Sequence, residues 1–229
     1  MRINKYLAHN NYCSRREADC LIEEGKVRVN GSLAKLGDQV TETDVVTVDN
    51  AEEQKSRVYY VYNKPLGVVT SNPHDYEEGI ADILSLDDVY PVGRLDKDST
   101  GLVVLTNDGR LTKHLLDPDK EVEKEYEVRV QEKLQSNFAR AMESGIDIGD
   151  YVTKPCRVEV TGDSEFSIIL TEGKNRQIRK MCNALRYTIK SLTRVRVATL
   201  HLGRLKIGEY RQIKGDELED FLSELGLRS

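Results

Sequence analysis

The alternation of apolar and polar positions divides the chain into a short first segment and a longer second one. Ser14-Arg15-Arg16-Glu17 has the pattern of a capping box, and Ala18, Leu21 and Ile22 follow at helical spacing up to Gly25. This predicts a helix that starts at Ser14 and stops at Gly25. Lys26-Val27-Arg28-Val29 then alternates and meets Asn30-Gly31, which predicts a strand and a hairpin turn. Leu36-Gly37-Asp38-Gln39-Val40 leads to a further short strand at Asp44-Val45-Val46-Thr47-Val48. Helix, turn and strands fit within residues 1–50, near the lower limit for a domain. Residues 51–57 are polar, carry no apolar period and read as a linker.

From residue 58 the pattern changes to many strands between few helices. Val58-Tyr59-Tyr60-Val61-Tyr62 is strand-like, Asn63-Lys64-Pro65-Leu66-Gly67 breaks it, and Val68-Val69-Thr70-Ser71 resumes. Helices are expected over 80–86, 110–116, 137–144, 177–185 and 216–225, with Asp117-Pro118 ending the second. Lys124 to Val130 alternates, so Tyr126, Val128 and Val130 share one face. Further strands are expected at 157–160, 166–170, 195–197, 200–202 and 210–213. The implied fold class is α+β: a small N-terminal domain, then a larger one over 58–229 with a mainly antiparallel mixed sheet flanked by helices.

Composition narrows this picture only slightly. A chain of 229 residues with 38% hydrophobic and 32% charged positions is that of a globular protein with a real core. No apolar run approaches the roughly 20 residues of a membrane span, and Met1-Arg2-Ile3-Asn4-Lys5 lacks the apolar core of a signal peptide, so a cytoplasmic protein is expected. Cys13, Cys20, Cys156 and Cys182 show no zinc-ligand spacing, so no metal is expected and reduced thiols are the default.

Charge is more informative in its distribution than in its sum of −5. Between Thr171 and Lys206 the cations are Lys174, Arg176, Arg179, Lys180, Arg186, Lys190, Arg194, Arg196, Arg204 and Lys206, against the single carboxylate of Glu172. In the first segment Arg2, Lys5, Arg15, Arg16, Lys26 and Arg28 could make the helix start and the outer face of the strand basic. Both patterns suit phosphate binding, and both also suit cations that merely solvate a surface.

The candidate chemistry lies in Gly93-Arg94-Leu95-Asp96-Lys97-Asp98-Ser99-Thr100-Gly101, which runs into Leu102-Val103-Val104-Leu105-Thr106 and stops at Asn107-Asp108-Gly109. The apolar run is too short for a helix and reads as a buried strand, so Asp96 would stand at the mouth of a sheet. By itself the loop fits equally a solvated turn whose aspartate caps a neighbouring amide.

Four motifs in order bear on that choice: Asn63-Lys64-Pro65, the Gly93 to Leu102 loop, Lys124-Glu125-Tyr126, and Glu172-Gly173-Lys174-Asn175-Arg176-Gln177-Ile178-Arg179-Lys180-Met181. Together they resemble the RsuA-type bacterial ribosomal-RNA pseudouridine synthases, most closely the RluF subgroup, which modifies large-subunit rRNA. Arg2 to Leu7, Ser14 to Ala18 and Val27 to Gly31 likewise resemble the S4 RNA-binding domain. The resemblance implies that Asp96 is the catalytic aspartate, Arg94 the arginine of base flipping, and Tyr126 the tyrosine that stacks on the target base and takes part in proton removal. It makes Arg179 the basic partner of the aspartate and Ile178 a pocket position. Some relatives carry a long basic C-terminal extension, which this sequence ending at Ser229 is expected to lack.

The implied reaction breaks the N1–C1′ bond of a uridine, turns the uracil and rejoins it through C5. It needs no metal or redox cofactor. It needs an ionised, aimed carboxylate, which could add to the base or the sugar, or remove a sugar proton. Arg179 is expected to keep Asp96 ionised. Lys174, Arg176 and Lys180 would line the RNA path, Lys64 and Pro65 would shape the cleft floor, and Asp98 would be structural. The partner is ribosomal RNA, with small-subunit rRNA and tRNA as alternatives, and a monomer is the default. A non-catalytic S4-type RNA-binding factor and a glycosidase-like hydrolase remain alternative readings, the latter needing a second carboxylate in the pocket.

Overall fold

The computed structural model describes residues 1–10, 12–13, 15–49, 56–71, 73–74, 76–86 and 88–227. Ser14 of the capping-box sequence, residues 51–55 of the linker and the side chain of Arg16 lie outside the described residues.

The first fifty residues build a unit with its own core. Helices α1 (Ile3–His9) and α2 (Arg15–Glu23) pack together, and β1 (Val27–Val29), β2 (Ser32–Leu33) and β3 (Val46–Val48) form a sheet of order β2-β1-β3. Ile3, Leu7, Ala18, Ile22, Val27 and Val40 are buried between them. The first helix was not foreseen from the pattern, because only Ile3 and Leu7 mark its buried face. Its entry is fixed from a distance, by hydrogen bonds from Ile3 N to Asp38 O (2.8 Å) and from Val40 N to Met1 O (2.8 Å).

The longer segment folds around one mixed sheet. Its path runs β12 (Tyr210–Gln212), β4 (Tyr59–Lys64), β6 (Thr100–Thr106), β10 (Ile189–Val197), β7 (Lys124–Val130), β9 (Glu165–Leu170), β8 (Arg157–Gly162). Two short strands join it, β5 (Tyr90–Val92) on β6 and β11 (Leu200–His201) on β10. Among the described strand pairs of this sheet only β6–β10 is parallel, in keeping with the expected mainly antiparallel sheet. Leu102 and Val104 face a core with Leu111 and Leu115 of α4 (Gly109–Leu116) and Phe221 and Leu222 of α7 (Asp216–Glu224). Val103 and Leu105 face the opposite core, with Ile80 of α3 (Ile80–Ile83). Covered on both sides, β6 is continuously apolar for the reason that central strands are. Val128, Val130, Phe166 and Ile168 meet Phe138 and Met142 of α5 (Phe138–Glu143) and Met181 of α6 (Gln177–Ala184).

Three expectations are corrected. Residues 68–71 contribute only an isolated bridge, Val69 to Gly79, rather than a strand. The helix expected over 80–86 is a single turn, because Leu84 is already extended. Strand β10 begins at Ile189, earlier than expected, since Lys190, Ser191, Thr193 and Arg194 disguise it, and the short β5 has no period of its own.

Candidate active site

The site forms where β6 changes partner. On one edge β6 pairs with β4 from Gly101 to Thr106. On the other, β10 pairs with Thr100 and Gly101 while β5 pairs with Val104 to Thr106. The loop 93–99 leaves β5 and re-enters the sheet at β6 between these two neighbours. Gly101 is required there: its φ is +108°, and a Cβ would stand 2.3 Å from the carbonyl oxygen of Arg194.

The loop is held from beneath. Leu95 is buried, its amide donating to Thr70 Oγ1 (3.0 Å) and its carbonyl accepting from the same hydroxyl (2.6 Å). Ser99 N closes a turn onto Asp96 O at 3.0 Å, and Gly67 N donates to Lys97 O at 2.8 Å. The buried Arg194 guanidinium donates from Nε to Leu102 O (2.7 Å) and from Nη1 to Arg94 O (3.4 Å). Asp96 is thereby presented, partly exposed, to a cavity of about 450 Å³. Arg94, Lys124, Tyr126, Lys174, Arg176, Ile178 and Arg194 share its wall, with Leu170, Leu192 and Val197 as apolar lining. Tyr126 reaches it because the inward face of β7, which buries Val128 and Val130, opens at that point.

The arginines are distributed differently from expectation. The Arg179 guanidinium donates to Asp98 O (2.5 Å) and Ser99 Oγ (3.3 Å). Its Nε lies 3.3 Å from Asp98 Oδ2 without a hydrogen bond. Arg176 forks onto the Asp98 carboxylate at 3.0 and 2.7 Å, and it is Arg176 Nη1 that approaches Asp96 Oδ2, at 3.9 Å. The expected Arg179–Asp96 pair is therefore replaced by Arg179–Asp98, because the turn at 96–99 directs Asp98 towards α6. The hydrogen bond from Arg176, against a smaller cost of burial, holds the Asp98 carboxyl below the usual carboxylate range. Asp98 faces these arginines and does not line the cavity, so it does not supply the second carboxylate that a hydrolase would need.

Glu172, which opens the fourth motif and was the lone acid among its cations, organises the other wall. Its carboxylate accepts from Tyr151 Oη (2.8 Å), Lys154 N (2.9 Å) and Gln177 Nε2 (2.7 Å), and Gln177 Oε1 accepts from Lys174 N (3.0 Å). This fixes the turn from which Lys174 Nζ lies 4.2 Å above the Tyr151 ring and Arg176 adopts a left-handed conformation at φ 53°. Lys180 is turned aside to Asp150, at 3.2 Å. Lys64 does not form the floor: its buried Nζ donates to Pro65 O (2.9 Å) and Val68 O (2.8 Å). Burial lowers its pKa to about 8, opposed by the fields of Asp96 and Asp98.

Arg2, Lys5 and Arg15 are exposed on the N-terminal unit, whereas Lys26 pairs with Glu24 (2.6 Å) and Arg28 approaches Asp49 (3.8 Å). Two cations counted as part of a basic stretch are internal: Arg194 is buried, and Arg196 binds Glu125 (2.8 Å) and Glu123 (2.9 Å). The cysteines are free, and burial pushes Cys156 up to about 11 and Cys182 to about 12. Among the described residues no group of three or more His, Cys, Asp or Glu is placed to hold a metal ion, and no helix is long and apolar enough to cross a membrane.

A cavity with Asp96, Tyr126 and Arg94 on its wall, on this sheet, is the arrangement of the class of RNA pseudouridine synthases. The chain belongs to the RNA pseudouridylate synthase family, which it matches over residues 58–184, and residues 1–46 match the S4 domain. It is 41% identical over 225 residues to the dual-specificity RNA pseudouridine synthase RluF of Escherichia coli (strain K12), spanning 96% of this chain and 78% of that protein. It is 33% identical to the ribosomal large subunit pseudouridine synthase B of Bacillus subtilis (strain 168), over 95% of this chain and 94% of that one. A crystal structure of a pseudouridylate synthase superposes with a TM-score of 0.72 at 29% identity, covering 96% of this chain and 99% of that one. The chain is thus an isomerase of α+β fold.

Proposed function

We propose that this chain converts a specific uridine of ribosomal RNA, most directly in 23S rRNA, to pseudouridine. The observation that carries the reading is the convergence of Asp96 and Arg94 from the loop 93–99, Tyr126 from β7 and Ile178 from α6 on one cavity. Relatives named for RNA and for the large ribosomal subunit support the substrate. Asp96 is the reacting carboxylate, and Arg176 is the cation that approaches it, at 3.9 Å. Arg179 acts through Asp98, fixing the turn that aims Asp96. Tyr126 stacks on the uracil, and Arg94, exposed at the rim, takes the space the flipped base vacates.

Residues 1–50 form the S4-like RNA-binding domain, 51–57 the linker and 58–229 the catalytic domain, acting as a cytoplasmic monomer. Arg2, Lys5, Arg15, Arg16, Lys26 and Arg28 would grip RNA at a second place through phosphates, while Lys174, Arg176 and Lys180 guide it near the cavity. Two modest contacts joined by a linker exceed either alone.

Asp96→Asn should abolish tritium release from 5-tritiated uridine RNA while RNA binding and melting temperature stay near wild type. Full activity in that variant would remove Asp96 from the mechanism. Pseudouridine mapping in ribosomal RNA from cells with and without the protein identifies the site, and an unchanged map would overturn the substrate assignment.

A further inference from the structure

Two of the cations on the cavity wall are withdrawn from solvent and, among the described residues, have no carboxylate within ion-pair distance: Lys124, half-buried, and Arg194, buried. Lys124 lies two residues before Tyr126 on β7, so both side chains leave the same face of the strand, and both reach the cavity. Its Nζ donates to one acceptor, Val122 O at 2.8 Å, of the three that an ammonium can serve. Arg194, which pairs with Tyr126 across the sheet, is buried and, among the described residues, its side chain donates to the carbonyls of Leu102 and Arg94. Among the described residues no carboxylate lies within ion-pair distance of either cation. The arrangement costs folding free energy, because buried charges are ordinarily paired. Burial, with the like charge of Arg194, lowers the Lys124 pKa to about 8.

A wall of this kind suits an anion, and the reaction generates one inside the cavity. When the N1–C1′ bond breaks, its electron pair moves onto the uracil and spreads over N1, O2 and O4. If Asp96 instead adds to C6 of the base, charge again collects on a carbonyl oxygen. In the first route Asp96 bonds to C1′ as N1 leaves, and in the second the N1–C1′ bond breaks after Asp96 has bonded to C6. In both, C5 then bonds to C1′, the bond to Asp96 breaks with its electron pair returning to the carboxylate, C5 gives up its proton and N1 takes one, so atoms and electrons balance. The phosphates are served elsewhere, by the exposed Arg94 and Lys174 at the rim, while Lys124 is half-buried beside the tyrosine.

Resting on the pseudouridine synthase reading, we infer that Lys124 is a further catalytic residue: it donates a hydrogen bond to a uracil carbonyl oxygen and stabilises the charge the base acquires, with Arg194 adding to the field. Lys124 keeps its proton throughout. Its effect therefore scales with how much help the base needs in order to leave.

The test is single-turnover conversion of two RNAs that differ only at the target, uridine or 5-fluorouridine, by wild type, Lys124→Met and Lys124→Arg. Loss of the N1-linked base is read by nuclease digestion and mass spectrometry. Fluorine at C5 stabilises the base anion and reduces the demand on the lysine. Lys124→Met should slow the uridine RNA by on the order of 10²-fold, the worth of one well-placed donor, and the fluorinated RNA by clearly less. RNA Kd and melting temperature should stay near wild type, and Lys124→Arg should recover part of the rate. Equal losses on both RNAs overturn the proposal, as does a loss confined to Kd, which would make Lys124 a phosphate contact. If Lys124→Met does not fold, the same comparison made on Lys124→Arg decides the question, equal penalties again overturning it. Failure of the wild type to convert uridine RNA would instead overturn the activity itself.

Discussion

Asp96 and Asp98 stand two positions apart in one turn and meet different partners. Asp98 receives the fork of Arg176 and the contacts of Arg179, while Asp96 keeps its edge on the cavity with Arg176 at 3.9 Å. Because the folded pKa of Asp98 is lowered, its pairing adds stability above the ordinary carboxylate range and loses it as pH falls through the folded value. Half exposure keeps that contribution small, so the main effect of Asp98 is on aim. Asp98→Ala should lower kcat on the order of 10²-fold, with KM and melting temperature little changed, in steady-state assays on target RNA. Tyr126→Ala should weaken RNA engagement by about 1–3 kcal/mol, the worth of one stacked base, whereas Tyr126→Phe should retain KM and lose only kcat.

At the scale of elements, the exchange of β10 for β5 along β6 creates the opening that the loop fills. Gly101 sits at that exchange, and Gly101→Ala forces β6 and β10 apart. It should cost about 3 kcal/mol in denaturant unfolding, with a larger fractional loss of activity, since Asp96 moves with the strand end. The other end of β6 is fixed by Asp108. Its buried carboxylate accepts from Tyr59 Oη (2.7 Å) and Arg110 Nη2 (2.8 Å), and caps α4 through Arg110 N (3.0 Å). Burial raises its pKa, but the hydrogen bonds from Arg110 and Tyr59 prevail and hold it below the usual range. Asp108→Asn should therefore destabilise by about 3 kcal/mol at neutral pH. The gap should close as pH falls through the folded pKa of Asp108, where the wild-type carboxylate is also protonated.

At the scale of the molecule, α1 packs against α4, and Arg57 links the two parts. Its Nη2 donates to His9 O at 3.4 Å, and its Nε lies 3.8 Å from Asp108. The basic character implied by the sequence is smaller than its count, since Arg194 and Arg196 are turned inward and Lys26 and Arg28 have carboxylate neighbours. Arg2, Lys5 and Arg15 stay exposed. Changing all three to Gln should reduce the slope of log Kd against log salt by about 2, at roughly 0.7 per single-strand phosphate contact. Turnover at saturating RNA should be unaffected, which separates RNA grip from chemistry.

The apolar run of Leu102 to Leu105, the alternation of β7 and the two glycines around Asp96 were legible in the sequence, because side-chain periodicity and backbone freedom are local properties. Element types followed for the same reason, and the motif order led to the family. The partner of each charge was not legible. Arg179 meets Asp98 rather than Asp96, Arg194 lies under the loop rather than on a surface, and Lys124 faces the cavity without a counter-ion. Each of these depends on contacts between residues some 70 to 100 positions apart, arranged when β10 enters the sheet between β6 and β7. Sequence alone determined which groups this protein possesses, and the tertiary structure decided which of them are paired with one another and which are left facing the RNA.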